Sequence, residues 1–188
     1  NDEVCSDVAL TYDLQNNVNT LGNGMTSNFI WVAADNPNVT GESTTPQGGS
    51  IIIDAITNTT GADEVVVYTV TPTDGTNGCV GNDFTVSITV HSEAIGADDV
   101  AITCSDIALS YDLQNNVTIL GNGMAATFSW VATPNASVGG ESTTPQSGSI
   151  INDVLTNVTS VDQNVVYTVT PTDATDNCTG DTFTVTVT

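Results

Sequence analysis

The heptad "YTVTPTD" occurs twice in this chain of 188 residues, at residues 68–74 and, letter for letter, at residues 167–173. The same offset of 99 residues continues without a gap on both sides, so that "YDLQNNV" at Tyr12 returns at Tyr111. A fixed period of this kind indicates a tandem duplication. Each copy is about as long as one small domain, so the sequence predicts two consecutive domains rather than a solenoid of small units.

The residues around the heptad predict short β-strands. In "FTVSITV", at residues 84–90, apolar and hydroxyl side chains alternate, which is typical of a half-buried strand. The β-branched run "VVVYTVT", at residues 65–71, predicts a more central strand. "VALTYDL", at residues 8–14, alternates as well, and no segment of about ten residues has a helical period with caps. About seven strands per copy, separated by Asn-, Gly- and Pro-rich turns, indicate a β-sandwich.

The predicted organisation is all-β, with two Ig-like sandwich domains arranged end to end. The first domain covers residues 1–92 and the second covers residues 100–188. The intervening "EAIGADD", at residues 93–99, has no Gly/Ser-rich run, so we expect a short and semi-rigid linker. Trp31 and Trp130 occupy equivalent positions in predicted strands, and we expect both in the cores.

The charge of the chain restricts its partners. It contains no Lys or Arg and 22 acidic residues, which gives a formal net charge of −22. Nucleic acid is excluded as a partner because phosphate binding needs cationic side chains. An anionic membrane surface is disfavoured for the same reason. No apolar run approaches the roughly 20 residues of a transmembrane helix, so we expect no membrane insertion.

Four cysteines, two in each copy at identical spacing, predict disulfide bonds. Four cysteines allow three pairings, and the duplication favours Cys5–Cys79 and Cys104–Cys178. Closing loops of this length would stabilise each domain by roughly 4 kcal/mol in the chain-entropy model. Metal binding is the alternative, but the close C-x₂-C spacing of zinc sites is missing. Disulfides indicate an oxidising compartment, and we expect the chain to be a piece of a longer exported protein.

Catalytic chemistry has little support in the sequence. The single histidine, His91, lies near the predicted linker, and the carboxylates shared by both copies fall mostly in predicted turns. We therefore expect no enzyme activity and no catalytic residues. Calcium is the one cofactor that we consider, because Glu93, Asp98 and Asp99 lie close together in sequence and could supply oxygen ligands at the joint between the domains.

One pattern runs through the first copy at Cys5, Trp31, residues 68–73, Cys79, Gly81 and residues 84–86. It resembles the PKD-like repeats in large secreted adhesins on the surface of gliding Bacteroidota. The resemblance implies an Ig-like sandwich, a role as stalk or spacer in a cell-surface filament, and a location on the bacterial outer surface. It implies no catalytic residues.

The resulting functional prediction is a non-catalytic stalk segment of a multi-repeat extracellular adhesin or surface filament. Its expected partners are neighbouring repeats of the same chain, with other filament proteins or a polysaccharide as further possibilities. Two alternatives stay open at this point. A carbohydrate-binding module would need a platform of exposed aromatic side chains, and a self-assembling fibre subunit would need open sheet edges.

Overall fold

The computed structural model describes residues 2–188, and the chain divides into two compact units, Asn1–Ser92 and Glu93–Thr188. Both units are Ig-like sandwiches built mostly of strands, as the sequence predicts. The elements of the first unit are β1 Asp2–Cys5, β2 Tyr12–Asp13, α1 Leu14–Leu21, β3 Ser27–Ala33, β4 Val39–Thr40, β5 Gln47–Gly48, β6 Ile51–Ile52, β7 Thr57–Asn58, β8 Glu64–Asp74 and β9 Phe84–His91.

The heptad lies in the middle strand of the main sheet of the first unit. This five-stranded sheet has the order β1-β9-β8-β3-β5, so the prediction of a central strand is confirmed. Strand β8 pairs in the antiparallel sense with both β3 and β9. The first strand pairs in the parallel sense with the last, β1 with β9, with Asp2 opposite Ile88 and Cys5 opposite His91.

Alternation along these strands directs one face of the sheet into the core. In β8, Val66, Tyr68 and Val70 are fully buried, while the residues between them face away from the core. The opposite layer is made of short pieces, the two-stranded ladders β2-β6 and β4-β7 and the helix α1. Its buried side chains include Leu14 of α1 and Ile52 of β6. The period of two in the sequence therefore reflects a sheet with one buried face.

The segment "VALTYDL" is only partly a strand, which corrects the sequence prediction. Strand β2 contains two residues, and α1 begins directly after it. The Asp13 side chain accepts a hydrogen bond from the Gln15 N–H at 2.9 Å and caps the helix. Leu14 and Val18 are the buried residues of α1, four positions apart, and so lie on one face of the helix.

The second unit repeats this architecture. Its five-stranded sheet has the order β10-β18-β17-β12-β14, and again the first strand pairs in parallel with the last. The helix α2 has five residues, against eight in α1. The elements are β10 Asp99–Ala101, β11 Tyr111–Asp112, α2 Gln114–Thr118, β12 Ala126–Ala132, β13 Val138–Gly139, β14 Gln146–Ser147, β15 Ile150–Ile151, β16 Thr156–Asn157, β17 Val165–Asp173 and β18 Phe183–Val187.

Both tryptophans belong to the cores, as predicted. Trp31 and Trp130 are 3% and 5% exposed. The Trp31 ring packs edge-on against the Tyr68 ring with centroids 5.7 Å apart, and Trp130 packs in the same way on Tyr167 at 5.8 Å. Edge-to-face packing of this kind stabilises aromatic pairs beyond their burial.

Candidate functional site, a strap and its groove

Residues 93–98, which the sequence predicts to be part of a linker, lie on the surface of the second unit; we call this segment the strap. Asn122 holds its first half. The Asn122 Nδ2 atom donates to the Glu93 carbonyl at 2.7 Å, and the Asn122 Oδ1 atom accepts the Ile95 N–H at 3.1 Å. The Asn122 N–H also donates to the Ile95 carbonyl at 3.2 Å. The strap is therefore fixed to the unit that follows it in the chain.

Hydrogen bonds also fix the second half of the strap to this unit. The Asn116 Nδ2 atom donates to the Ala97 carbonyl at 2.9 Å, and the Ala97 N–H donates to the Asn116 carbonyl at 3.3 Å. Asp98 Oδ1 accepts the Thr184 N–H of β18 at 2.6 Å. Ala94 is fully buried and belongs to the hydrophobic core of this unit. The small side chains of the strap are thus part of the packing, not of a free connection.

Two glycines of the second unit make room for the strap. A methyl group at Gly121 would lie 1.7 Å from the Ile95 carbonyl oxygen, and one at Gly180 would lie 2.0 Å from the Ala94 carbonyl oxygen. Such distances are impossible for a real side chain, so both positions require glycine as long as the strap is in place. Here glycine serves close backbone approach rather than a left-handed turn.

The corresponding surface of the first unit is an open groove of about 750 Å³. Its floor and walls are largely apolar. Leu21 is 85% exposed and Val80 is 69% exposed. Residues that line the groove include Val18, Leu21, Met25, Cys79, Val80 and Phe84.

The groove of the first unit carries the same residues that hold the strap in the second. Phe84 is only partly buried, whereas its equivalent Phe183 is 3% exposed because Gly96 of the strap lies against its ring. By the 99-residue offset, the strap itself corresponds to positions ahead of residue 1. The set Asn17, Gly22, Asn23, Gly81 and Phe84 matches Asn116, Gly121, Asn122, Gly180 and Phe183 in residue type at every position.

The two cysteines of the first unit lie at opposite ends of its sheet. Cys5 is opposite His91, the last residue of β9. The Cys79 carbonyl accepts the Asp74 N–H at the far end of β8, near Phe84, where β9 begins. The seven residue steps of β9 span roughly 23 Å at the usual rise of a strand. A disulfide needs Cα atoms within about 7 Å of each other, so a Cys5–Cys79 bond would break the sheet.

The second unit separates its cysteines in the same way. Cys104 follows β10, where the Thr103 N–H donates to the Thr188 carbonyl beyond the end of β18. The Cys178 carbonyl accepts the Asp173 N–H at the opposite end of the sheet.

The disulfide pairs expected within each repeat are therefore wrong for this structure. Cys79 and Cys104 are exposed free thiols. Cys5 and Cys178 each take part in a disulfide bond. The equal spacing of the cysteines in the two copies reflects the repeat itself, and it contains no information about which end of a sheet each cysteine occupies.

A buried carboxylate in each unit serves the core rather than catalysis. In the first unit, Asp54 is 8% exposed and accepts the Tyr68 hydroxyl at 2.8 Å. It also accepts the Ser43 N–H at 2.8 Å and the Ser43 hydroxyl at 2.7 Å. Burial, followed by the hydrogen bond to Asp54, raises the pKa of Tyr68 well above its usual value. The carboxylate is thus fully engaged in a structural network.

The second unit contains the same network. Asp153 accepts the Tyr167 hydroxyl at 2.9 Å, the Ser142 N–H at 2.7 Å and the Ser142 hydroxyl at 2.7 Å. Burial likewise raises the pKa of Tyr167. The first residue of the heptad is therefore the anchor of the core hydrogen bonds in both repeats.

The three residues considered for calcium have separate surroundings. Asp99 Oδ2 accepts the Tyr111 hydroxyl at 2.6 Å, and this hydrogen bond is the main reason why the pKa of Asp99 is lowered. Asp98 binds a backbone N–H of β18, and Glu93 is buried. Within residues 2–188, these three carboxylates do not converge on one cluster of candidate metal ligands. Calcium binding at residues 93–99 stays a prediction.

The single histidine lies in a strand of the first unit. His91 ends β9, its Nδ1 atom lies 3.0 Å from Asp63 Oδ2, and its Nε2 atom lies 3.4 Å from Glu3 Oε2. The side chain is 14% exposed, so His91 is largely buried at the end of this strand. Neither nitrogen contacts a nucleophilic side chain in these interactions, so the arrangement is that of a strand-end hydrogen-bond group.

Sequence reasoning missed the strap and its groove. The signal that was available is the strict repetition of Gly22, Asn23 and Gly81 in the second copy, in loops where a β-sandwich tolerates substitution. Asn17, in α1, is repeated as well. The strap itself, "EAIGAD", gave no such signal because it occurs once in the chain.

The fold and the site together define a tandem β-sandwich protein. Its strap, its groove and its cysteines lie at the ends of the repeats. A family model described as "PKD-like domain" matches residues 2–94 and again residues 101–188. The chain therefore belongs to the PKD-like domain family, with two copies in tandem. No curated protein sequence matches it.

Solved structures with some similarity include tandem domains of Ig and cadherin type. Sidekick-1 immunoglobulin domains 1–5 match at 13% identity and a TM-score of 0.32, over 99% of this chain and 34% of that one. This chain thus spans about a third of the Sidekick-1 structure. Human mucin-like protocadherin EC1-2 matches at 9% identity and a TM-score of 0.27, over 99% of this chain and 93% of that one. The tandem Ig repeats of Dlar match at 10% identity and a TM-score of 0.26, over 100% and 93%.

These likenesses are too low to support any argument on function. In the part of the chain that the structure describes, residues 2–188, no helix is long and apolar enough to cross a membrane.

Proposed function

We propose that this chain is a structural stalk segment of a multi-repeat extracellular adhesin or surface filament, with neighbouring repeats of the same construction as its partners. Tandem Ig-like and PKD-like domains are typical of extracellular adhesion and structural modules, and domains of this kind are typically non-catalytic. The disulfide-bonded state of Cys5 and Cys178 supports an oxidising, extracytoplasmic location. The bacterial outer surface of gliding Bacteroidota is the setting that the family resemblance suggests.

The observation that carries the proposal is the pairing of the first strand of each repeat with its last. Strand β1 lies parallel to β9, and β10 lies parallel to β18. When tension is applied through the two ends of a repeat, parallel neighbours are pulled in opposite directions along their axes. Their hydrogen bonds are then loaded together in shear instead of opening one after another. This arrangement suits a segment whose work is to transmit force.

The positions of the cysteines also support the proposal. Because the two cysteines of a repeat lie at opposite ends of its sheet, each can form a disulfide only with a cysteine outside its own repeat. A single domain that works alone gains nothing from this distribution.

The two alternative functions find less support. A carbohydrate platform needs exposed aromatic rings, and every aromatic side chain among residues 2–188 is buried or partly buried. A fibre that grows through sheet edges needs long unpaired edge strands. The main sheet of the first unit has the edges β5, with two residues, and β1, which carries Asp2 and Glu3. The main sheet of the second unit has the edges β14, with two residues, and β10, with three, the first of which is Asp99. Short and acidic edges discourage strand addition.

Single-molecule pulling through both ends of the 188-residue chain, with its cysteines reduced, tests the proposal. We expect two unfolding events at similar high force, one for each unit. Val4→Pro removes a backbone N–H from β1 of the first unit and should lower the unfolding force of that unit only. The unchanged second unit serves as an internal control. The stalk proposal is wrong if both units of the unmodified chain already unfold at the force of the weakened unit.

A further inference from the structure

The open groove of the first unit and the filled groove of the second are lined by equivalent residues. In the second unit, Asn116 and Asn122 hold the strap, and Gly121 and Gly180 admit its backbone. The first unit presents the same four residue types around a groove of about 750 Å³. In the second unit, the strap covers the equivalent surface.

Gly81 of the first unit points to the same occupant. A methyl group at Gly81 would lie 3.1 Å from Pro72 Cγ, a contact that a shift of a few tenths of an ångström relieves, and 3.5 Å from the Pro72 carbonyl oxygen, an ordinary van der Waals distance. Gly81 has no left-handed backbone either, so the first unit alone gives little reason for glycine. At the equivalent Gly180, the strap leaves no room for any side chain. The requirement for glycine at residue 81 is explained when a strap lies in this groove too.

The chemistry of the groove matches the strap. Asn17 and Asn23 can offer the same side-chain amides that bind the strap backbone in the second unit. The exposed Leu21, Met25 and Val80 provide an apolar surface. The strap brings Ala, Ile, Gly and Ala, small and apolar residues without charge in its middle four positions.

We propose that the groove of the first unit is a docking site for a strap of the type of residues 93–98, supplied by another repeat of the same construction. The proposal rests on the proposed stalk function for its occupant, since a stalk places such a segment ahead of every repeat. Repeats are then joined by insertion, in which a segment that leaves one repeat completes the surface of the next. The groove receives the strap, and another repeat supplies it.

A chain carrying an added copy of residues 93–99 directly ahead of Asn1 tests the proposal. By the 99-residue offset, this extension places the added strap in register with the groove. Hydrogen exchange of the backbone amides at residues 17–25 and 79–85 should slow by about tenfold relative to the unextended chain. Exchange of the equivalent segments of the second unit, whose groove is filled already, should not change.

Two glycine variants provide the matched controls. In the extended chain, Gly81→Ala should remove the added protection, because its methyl group would meet the backbone of the strap. In the unextended chain, Gly81→Ala should leave exchange nearly unchanged, whereas Gly180→Ala should speed exchange at residues 93–98.

Unchanged exchange around the groove of the extended chain would overturn the proposal, and so would protection that survives Gly81→Ala. The pulling experiment reports on the β1–β9 pairing and not on the groove. Failure of the strap proposal and failure of the stalk function are therefore distinguishable.

Discussion

The core contacts of Tyr68, the first residue of the heptad, give a physical reason why both copies contain this residue. Its ring packs on Trp31 in the centre of the core, and its hydroxyl satisfies the buried Asp54 carboxylate. The other positions of the heptad alternate between the core and the opposite face of the sheet. The alternation was visible in the sequence, but the carboxylate partner, 14 positions away, was not.

Replacement of the tyrosine hydroxyl tests this network. Tyr68→Phe keeps the ring but leaves Asp54 with one hydrogen bond fewer in a buried site, so we expect a loss of about 1–3 kcal/mol in the free energy of unfolding. Tyr167→Phe should cost a similar amount, since Asp153 has the same surroundings. Urea unfolding of both variants measures the loss. A change below about 0.3 kcal/mol in both would show that the network adds nothing to stability.

The two tyrosines also predict how stability depends on alkaline pH. Burial and the neighbouring carboxylate raise their folded-state pKa values, so the folded protein keeps both hydroxyls protonated while the unfolded chain ionises near pH 10. This contribution to stability is complete below about pH 10 and is lost as the pH rises towards the folded-state pKa. Tyrosinate absorbance should therefore develop for Tyr68 and Tyr167 only together with unfolding. Ionisation of all tyrosines in the folded state would contradict the buried network.

At the scale of elements, the strands followed from the sequence and the helix did not. Leu14 fits the alternation of the preceding residues, and its partner Val18 lies four positions later. A pattern of two apolar residues is too short to separate a strand from one helical turn. The strap was missed for a different reason. Its small residues are typical of a linker, and only a groove lined with glycine makes such residues useful for packing.

The helix cap gives a prediction at this scale. Asp13→Ala removes the side chain that accepts the Gln15 N–H, and should cost about 1 kcal/mol in stability. Asp112→Ala is the matched variant, because Asp112 accepts the Gln114 N–H at 3.0 Å in the second repeat. Asp13→Asn, which keeps a capping oxygen, should restore most of the loss. Equal stability of the Ala and Asn variants in denaturant unfolding would argue against a capping role.

The net charge of the whole molecule follows from its composition alone. It predicts that the thermal stability depends on salt concentration. With a formal net charge of −22 and no Lys or Arg, the acidic groups repel one another. The screening length falls from about 10 Å at 0.1 M salt to about 3 Å at 1 M, so we expect the melting temperature to rise with sodium chloride. A melting temperature that is independent of salt would contradict this electrostatic reasoning.

Calcium is tested in the same experiment. At equal ionic strength, calcium binding by Glu93, Asp98 and Asp99 predicts a further rise in melting temperature that EDTA reverses and that Asp98→Asn weakens. Equal shifts for calcium chloride and sodium chloride would reduce the effect of calcium to screening, and the hypothesis of a site at residues 93–99 would be wrong.

The proposal that repeats are connected through their ends is tested most directly by mapping the disulfide bonds of the unreduced 188-residue chain. Trypsin has no cleavage site in the absence of Lys and Arg, so a protease specific for acidic residues is needed. We predict that Cys79 and Cys104 react with a thiol reagent before reduction, and that no fragment joins Cys5 to Cys79 or Cys104 to Cys178. Fragments that contain these two pairs would contradict the placement of the cysteines at opposite ends of each sheet, and with it the proposal that repeats are connected through their ends.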